Sequence, residues 1–249
     1  RLVFKSRYLL LIALMIGLYN FVNATGEFII SDIIAKRSVH PSIAPAGAQA
    51  AGAAESRPAV PAEGRAEPSP GEPSQETAAN TDSKVVHNAF MNYQFLTNLI
   101  ALIIQLFLVS RIFKWVGVSG ALLFLPLIAL GGYALISFGA VLALVQGVKA
   151  AENGTDYSLQ NTTKAALFLV TKREEKYKAK AAIDTFFVRG GDTLSALAVF
   201  VGVTFLHLPI ERYALLNVAV VAVLLVICVK IIKAYKKRKA AMDAAAPAA

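Results

Sequence analysis

Long apolar runs, separated by short basic or polar segments, are the feature that most constrains this sequence. Six runs reach about 20 residues, the length that a helix needs to cross a hydrocarbon core of about 30 Å. Hydrophobic residues make up 56% of the chain and charged residues only 16%, against about 25% in soluble domains. The pattern predicts an all-α integral membrane protein built as a six-transmembrane-helix bundle. The predicted spans are residues 8–34, 90–113, 119–138, 140–170, 179–206 and 213–232.

The predicted spans divide the chain into four parts. Residues 1–36 hold the first span, residues 89–239 hold five further spans, and residues 240–249 form a loose tail. Residues 37–88 form an insertion after the first helix, and its centre is rich in Pro and Ala and lacks aromatic residues. Such a composition cannot bury enough apolar surface to offset the entropy lost on ordering, so we expect this loop to be disordered.

The distribution of Lys and Arg predicts the orientation of the spans. Basic residues precede the first span and follow the second, fourth and sixth, whereas the short loops on the other side carry only Arg212. Cytoplasmic loops carry an excess of Lys and Arg, so we expect both termini in the cytoplasm and the insertion outside. We therefore attribute the net charge of +9 to topology and to contacts with anionic membrane lipid, and not to nucleic-acid binding.

The stretch from Lys149 to Asp192 is too polar for its place between apolar spans. Five polar residues recur on a helix at spacings of three or four, which predicts one continuous polar stripe: Lys149, Glu152, Asp156, Gln160 and Thr163. A charge near the bilayer centre costs about 2.5–3.5 kcal/mol, so several charges together need partners, water or a ligand. A solute pathway through the membrane is the leading hypothesis.

A second polar face lies near the end of the first span, where Asn20, Asn23 and Glu27 share one side of the helix. Two interpretations stay open, since Glu27 either marks the interfacial end of the helix or points into a cavity. We take the ionisable residues of both regions as candidates for the substrate pathway. They are Glu27, Lys149, Glu152, Asp156, Lys180, Asp184, Arg189 and Asp192.

The candidate cations predict an anionic substrate. Lys149, Lys180 and Arg189 are suited to bind phosphate or carboxylate groups. The candidate carboxylates would pair with these cations in the empty protein or relay a proton. The alternative is structural: Lys149–Glu152 and Arg189–Asp192 would then be salt bridges that hold the bundle together.

Two other function classes stay open beside transport. A membrane-embedded enzyme would use Glu152 with Asp156 as acid and base, but the three histidines lie at membrane edges or in the insertion. The sequence contains no metal-ligand cluster, nucleophile elbow or phosphate loop, so we expect no catalysis, cofactor or metal. A non-transporting membrane partner or sensor, whose insertion binds a ligand outside, is the second alternative.

One segment resembles a known family. The residues ENGTDYSLQNTTKAALFLVTKREEKYKAKAAIDTFFVRGGD contain YSL, a following lysine and a basic loop that reaches KAKAAID. They resemble the ATP/ADP translocases of plastids and intracellular bacteria and their bacterial homologues. RYLLLIALMIGLYNFVNATGEF is similar to the seventh span of that family. The resemblance implies the C-terminal half of a major-facilitator-type fold, whose missing N-terminal six-helix half would belong to the same protein.

The resemblance also implies a function and two site residues. It implies exchange of nucleoside triphosphate for diphosphate, as in ATP/ADP exchange, by alternating access in a bacterial inner (plasma) membrane. In that family a glutamate late in the seventh span and a lysine in a KAAID-like motif matter for transport, and they fall on Glu27 and Lys180. A major-facilitator-type carrier of another small solute is the alternative within this class.

Overall fold

The computed structural model describes residues 3, 6–39, 75–139, 141–171 and 173–245. Within these ranges every regular element is helical, which confirms the predicted all-α class. The α-helices are α1 (Arg7–Val39), α2 (Gln75–Ile103), α3 (Val109–Trp115), α4 (Gly117–Phe138), α5 (Leu142–Thr155), α6 (Asn161–Leu167), α7 (Arg173–Ala182), α8 (Val188–Thr204) and α9 (Ile210–Ala245). The π-helical turns are π1 (Ile104–Leu108), π2 (Asp156–Gln160) and π3 (Ile183–Phe187), and Phe168–Val170 forms a 3₁₀ turn.

Five helical stretches in the described part of the chain are long and apolar enough to cross a membrane. Each coincides with a predicted span, and together they support a protein embedded in the membrane through several helices. The stretches are Arg7–Lys36, Phe90–Trp115, Gly117–Phe138, Lys176–Thr204 and Ile210–Ala244.

The predicted fourth span differs from the other five. The chain is helical without a break from Leu142 to Val170, but this helix is not among the apolar stretches. Lys149, Glu152 and Asp156 lower its hydropathy, since they lie in its middle. The count of six spans is therefore not confirmed, and the crossing of this helix stays a prediction.

Two predicted boundaries differ from the structure. The disordered insertion was expected over residues 37–88, yet α2 already begins at Gln75, and residues 40–74 lie outside the described residues. The loose tail was expected over residues 240–249, yet α9 continues to Ala245, with residues 246–249 outside the described part. Each extension continues an apolar helix that is already formed, and adding a residue to an existing helix is easier than starting a new one. Residues 240–245 are also rich in Ala, which favours helix.

The chain divides into two compact units. The first comprises Arg1–Ser31 and Tyr93–Ala249, and the second comprises Asp32–Asn92. In the second unit, Lys36 pairs with Asp32 one helical turn earlier, with 2.6 Å between the ammonium and the carboxylate.

The apolar core of the first unit lies between α1, α4, α6 and α9. Buried side chains such as Leu9 of α1, Leu125 of α4 and Ile231 of α9 belong to one cluster. The hydroxyl of Tyr8 donates a hydrogen bond to the Leu167 carbonyl at 2.8 Å, which ties α1 to α6. Lipid is as apolar as these side chains, so close packing and hydrogen bonds, rather than removal from water, hold such helices together.

The packing of α1 against α8 depends on glycine. A Cβ atom on Gly191 would collide with the Gly17 carbonyl oxygen, so the two backbones touch there. A Cβ atom on Gly190 would meet nothing within 4 Å. Small residues allow such close approach of helices in membranes.

Candidate functional site

Lys149 is the centre of a buried polar network. Its side chain has no accessible surface. In the chain, helices of membrane-crossing length precede and follow α5. The ammonium donates hydrogen bonds to Asn23 Oδ1 at 2.9 Å and to Glu152 Oε2 at 2.9 Å, and it lies 3.4 Å from Asn153 Oδ1. All three N–H groups of the ammonium therefore have an acceptor, as a buried cation requires.

Glu152 receives two donors on one carboxylate oxygen. The Tyr133 hydroxyl of α4 donates to Glu152 Oε2 at 2.7 Å, and Lys149 donates to the same atom. Glu152 follows Lys149 by three residues on α5, so the two side chains lie on one face of the helix. The predicted contact between this lysine and this glutamate is confirmed.

Glu27 lies at the edge of the same network. Its Oε1 atom accepts hydrogen bonds from the Tyr93 hydroxyl at 2.9 Å and from Asn153 Nδ2 at 2.7 Å, and it lies 3.7 Å from the Lys149 ammonium. The Glu27 side chain keeps 38% of its surface exposed, whereas that of Glu152 keeps 6%. Glu27 thus contacts the buried network while more than a third of its side chain stays exposed, and both interpretations of this residue stay open.

Gly26 is what allows α1 to reach the network. A Cβ atom at this position would collide with the Tyr133 hydroxyl and would lie 2.8 Å from the Lys149 ammonium. Because glycine has no side chain, the α1 backbone can lie directly against these polar groups. Asn23 and Glu27 on the same helix then contact the lysine from either side.

The electrostatics of the network are dominated by one ammonium and two carboxylates. Moving a single ion out of water costs several kcal/mol even after relaxation, so Lys149 depends on Glu152 and Glu27 for compensation. Glu27 comes from α1 and Glu152 from α5, so the charge balance of the site depends on how these helices pack together. Relative movement of α1 and α5 would separate the Glu27 carboxylate from the Lys149 ammonium.

A second ion pair lies further along the same helical path. The Lys164 ammonium is 2.9 Å from Asp156 Oδ1, and it also lies over the Tyr19 ring, 5.5 Å from the centroid. Asp156 begins π2 and Lys164 lies in α6. Two α-helical turns take about seven residues, and a π turn adds one, so side chains eight positions apart come to lie on one face.

Two cavities are lined by residues of the polar network and of the Asp156–Lys164 pair. The smaller has a volume of about 20 Å³, room for about one water molecule, and the larger has a volume of about 290 Å³. Asn20 and Lys164 line both. The smaller cavity is also lined by Tyr19, Asn23, Leu125, Glu152, Asn153 and Asp156, and the larger by Ile16, Asn161, Ala165, Phe168, Lys180, Asp184 and Val188.

Four of the eight predicted pathway residues line the two cavities, and Glu27 and Lys149 belong to the adjoining polar network. Arg189 and Asp192 line neither cavity, and their side chains pair with each other at 3.9 Å. The Arg189 side chain is 82% exposed, because Gly191 and Ser195 form the face of α8 that packs against α1. Brought together are Glu27, Lys149, Glu152, Asp156, Lys180 and Asp184.

Sequence reasoning missed four residues of the site. Tyr93 and Tyr133 lie in apolar runs, where a tyrosine gives no signal of its own. Asn153 follows Lys149 by four positions, a spacing that predicts contact on a helix. Lys164 is the lysine after YSL in the resemblance, and it follows Gln160 of the polar stripe by four positions, a spacing that already pointed to it. A regular helix would turn it about 80° from Asp156, and π2 brings these two side chains to one face.

Across the described ranges, no group of three His, Cys, Asp or Glu side chains lies close enough to hold a metal ion. Comparison with protein-family models, with curated proteins and with solved structures finds no match for this chain.

Proposed function

We propose that this chain belongs to a membrane transporter that moves a small anionic solute by alternating access. One observation carries the proposal: Lys149 is fully buried and is held by groups from α1 and α5 among helices of membrane-crossing length. Ionisable residues at such depth are costly, and in membrane proteins they mark ion and substrate pathways. The polar helix from Leu142 to Val170, the fourth in chain order, then also crosses the membrane and brings the number of crossings to six. Its polar face is turned toward the cavities.

The larger cavity is the proposed binding site for the anionic group. Lys164 and Lys180 line it against a single carboxylate, that of Asp184, so its lining has a net positive charge. Its volume of about 290 Å³ lies at the lower end of the range of small-ligand sites. It accommodates a phosphate or carboxylate group together with part of the substrate that bears this group. Hydrogen bonds from cationic side chains to such groups are charge-assisted and stronger than those between neutral groups.

Nucleoside di- and triphosphates are the proposed substrate class, with ATP/ADP-type exchange as the activity. The support is the resemblance of Tyr157–Asp184 to the translocase family, together with the places of its two assigned residues. Glu27 belongs to the Lys149 network, and Lys180 lines the larger cavity. The corresponding location is a bacterial inner membrane, with both termini in the cytoplasm.

The proposed conformational change involves the π turns. Asp156 lies in π2 and Asp184 in π3, so each helix departs from regular geometry where it meets a cavity. Transporters form central binding sites from interrupted helices, and π-helical turns often mark functional positions. Movement about π2 and π3 would open the larger cavity to one side and then to the other.

The test is transport by the complete protein reconstituted in liposomes. We expect radiolabelled ADP to enter liposomes loaded with ATP, and little to enter in the presence of a large excess of unlabelled ADP. A panel of inorganic phosphate, dicarboxylates and peptides separates substrate classes. Uptake of a dicarboxylate alone would favour a carrier of another anion, and uptake of nothing in the panel would argue against transport of these solutes.

A deletion separates transport from a role as a sensor or partner. Residues 57–74 belong to the Pro- and Ala-rich insertion. If the molecule is a carrier, removal of these residues leaves uptake near the level of the parent protein. Loss of function in cells without loss of liposome uptake would instead assign the working role to the insertion.

A further inference from the structure

Lys164 lines both cavities and forms an ion pair with Asp156. Its ammonium is 2.9 Å from Asp156, and the Lys164 side chain is 20% exposed while that of Asp156 is 28% exposed. Asp156 lines only the smaller cavity, whereas Lys164 lines both. The pair is therefore partly shielded, and a ligand in the larger cavity would approach Lys164 from a side that Asp156 does not line.

An anionic substrate in the larger cavity would compete with Asp156 for one ammonium. Opposite charges at close range stabilise each other, and a cation left without a partner inside a membrane is costly. In the empty protein Asp156 supplies the partner, and in the loaded protein the substrate does. The Asp156 carboxylate then finds other donors in the smaller cavity, because the side-chain amides of Asn20 and Asn23 line it, whereas the Asn153 amide already donates to Glu27 and Tyr93.

The other lysines of the region also have carboxylates nearby when the site is empty. Lys149 contacts Glu152 and Glu27, and Lys180 shares the larger cavity with Asp184, one helical turn further along. No lysine of the two cavities therefore depends on substrate alone for compensation. Of the two lysines that line the larger cavity, Lys164 has a direct ion pair to a residue that does not line it.

We infer that Asp156 acts as an internal substitute for the anionic group of the substrate, so that the carrier can reorient without cargo. This inference rests on the proposed transport function and goes beyond it, since it specifies net transport as well as exchange. With the Asp156–Lys164 pair intact, the empty protein changes conformation without exposing an unpaired lysine to the membrane interior. Without Asp156, only the loaded protein keeps Lys164 neutralised.

The first test compares two rates in liposomes that contain the complete protein. Labelled ADP is offered outside, and the liposomes contain either ADP or buffer alone. Asp156→Asn should reduce net uptake into buffer-loaded liposomes at least about tenfold while exchange with internal ADP stays within about twofold of the parent. Equal loss of both rates, or no loss of either, overturns the inference.

The second test needs no substrate. Ala165→Cys places a thiol in the larger cavity, and the native Cys228 is fully buried. With Asp156 present and no substrate, an impermeant thiol reagent should label Ala165→Cys from either face of the membrane. Asp156→Asn should reduce labelling from one face at least about tenfold.

A matched control is Asp32→Asn, which breaks another Lys–Asp pair whose lysine is largely exposed. It should leave both labelling rates unchanged. Two results overturn the inference. The first is labelling of the Ala165→Cys protein from one face only, and the second is equal labelling from both faces when Ala165→Cys is combined with Asp156→Asn. Labelling as expected in a protein that moves no nucleotide would retain the inference and reject nucleotides as the substrate.

Discussion

The Lys149 ammonium and the Glu152 carboxylate lie 2.9 Å apart, one helical turn from each other along α5, and both side chains are buried. The pair does not stand alone, since Tyr133 and Asn23 bind its two members from α4 and α1. A buried ion pair of this kind is weak evidence of stability, because desolvation offsets much of the attraction. Its cost is better explained by a role in function.

Removal of Lys149 should destabilise the protein more than removal of the whole pair. Lys149→Met leaves Glu152 buried without its cation, which we expect to cost about 3–5 kcal/mol. Lys149→Met combined with Glu152→Gln removes both charges and retains an acceptor for Tyr133. Thermal unfolding of purified protein in detergent should give a higher Tm for the double variant than for Lys149→Met. A double variant with the lower Tm would show that the two charges do not compensate each other.

Gly26→Ala should damage the site although it adds only one methyl group. The new Cβ would collide with the Tyr133 hydroxyl and would approach the Lys149 ammonium, so α1 must move away. We expect a loss of about 1–3 kcal/mol in stability and a fall in uptake, measured by thermal unfolding and by liposome transport.

The matched control for this variant is Gly147→Ala on α5, where a Cβ meets nothing within 4 Å. Since alanine favours helix over glycine, this control should unfold at the same or a slightly higher temperature. Equal effects of the two variants would mean that Gly26 is not a contact point between α1 and the network.

Lys180→Ala should reduce transport of the anionic substrate. A charge-assisted hydrogen bond contributes about 1.5–3 kcal/mol, so its loss should lower the rate of ADP exchange about tenfold or more. Lys178→Ala is the control, because Lys178 is exposed on the same helix and does not line the larger cavity. Normal exchange by Lys180→Ala would remove this residue from the proposed binding site.

Thiol labelling should distinguish the two glutamates of the network. The Glu27 side chain is 38% exposed and that of Glu152 is 6% exposed, so Glu27→Cys should react with an impermeant thiol reagent at least about tenfold faster than Glu152→Cys. Addition of ADP should slow the reaction of Glu27→Cys if this residue lies on the pathway. Equal and unchanging rates would be inconsistent with a pathway that passes Glu27.

The sequence predicts the helices well, because hydropathy and helical length are local properties. Lys149 and Glu152 were also predicted to face inward, since the cost of exposing charge to lipid leaves few other places for them, whereas two positions stayed open for Glu27. Tyr93 could not be predicted, because its role depends on how α2 lies against Glu27. Contacts between helices distant in the chain are decided by packing, which a single sequence does not display.

The position of Arg189 and Asp192 on the exposed side of α8 is likewise decided by packing. Their charges resemble those of the other candidates, but Gly191 and Ser195 decide which face of α8 packs against α1. Small residues determine the orientation of this helix, and the charged pair is left on its exposed side. Charge alone is therefore a poor guide to which residues line a cavity.

The π turn at Asp156–Gln160 makes the Asp156–Lys164 pair depend on chain length as well as on residue type. Deletion of one residue between Asp156 and Lys164 would restore a regular α-helix and leave the two side chains seven positions apart, which is two α-helical turns, so they would stay on one face. If the π turn instead became regular α-helix at unchanged length, eight positions would exceed two turns by about 80°, and Lys164 would turn away from Asp156. A relative of this protein that lacks one intervening residue and has a regular helix here would therefore keep the pair, whereas one of equal length without the π turn would lose it.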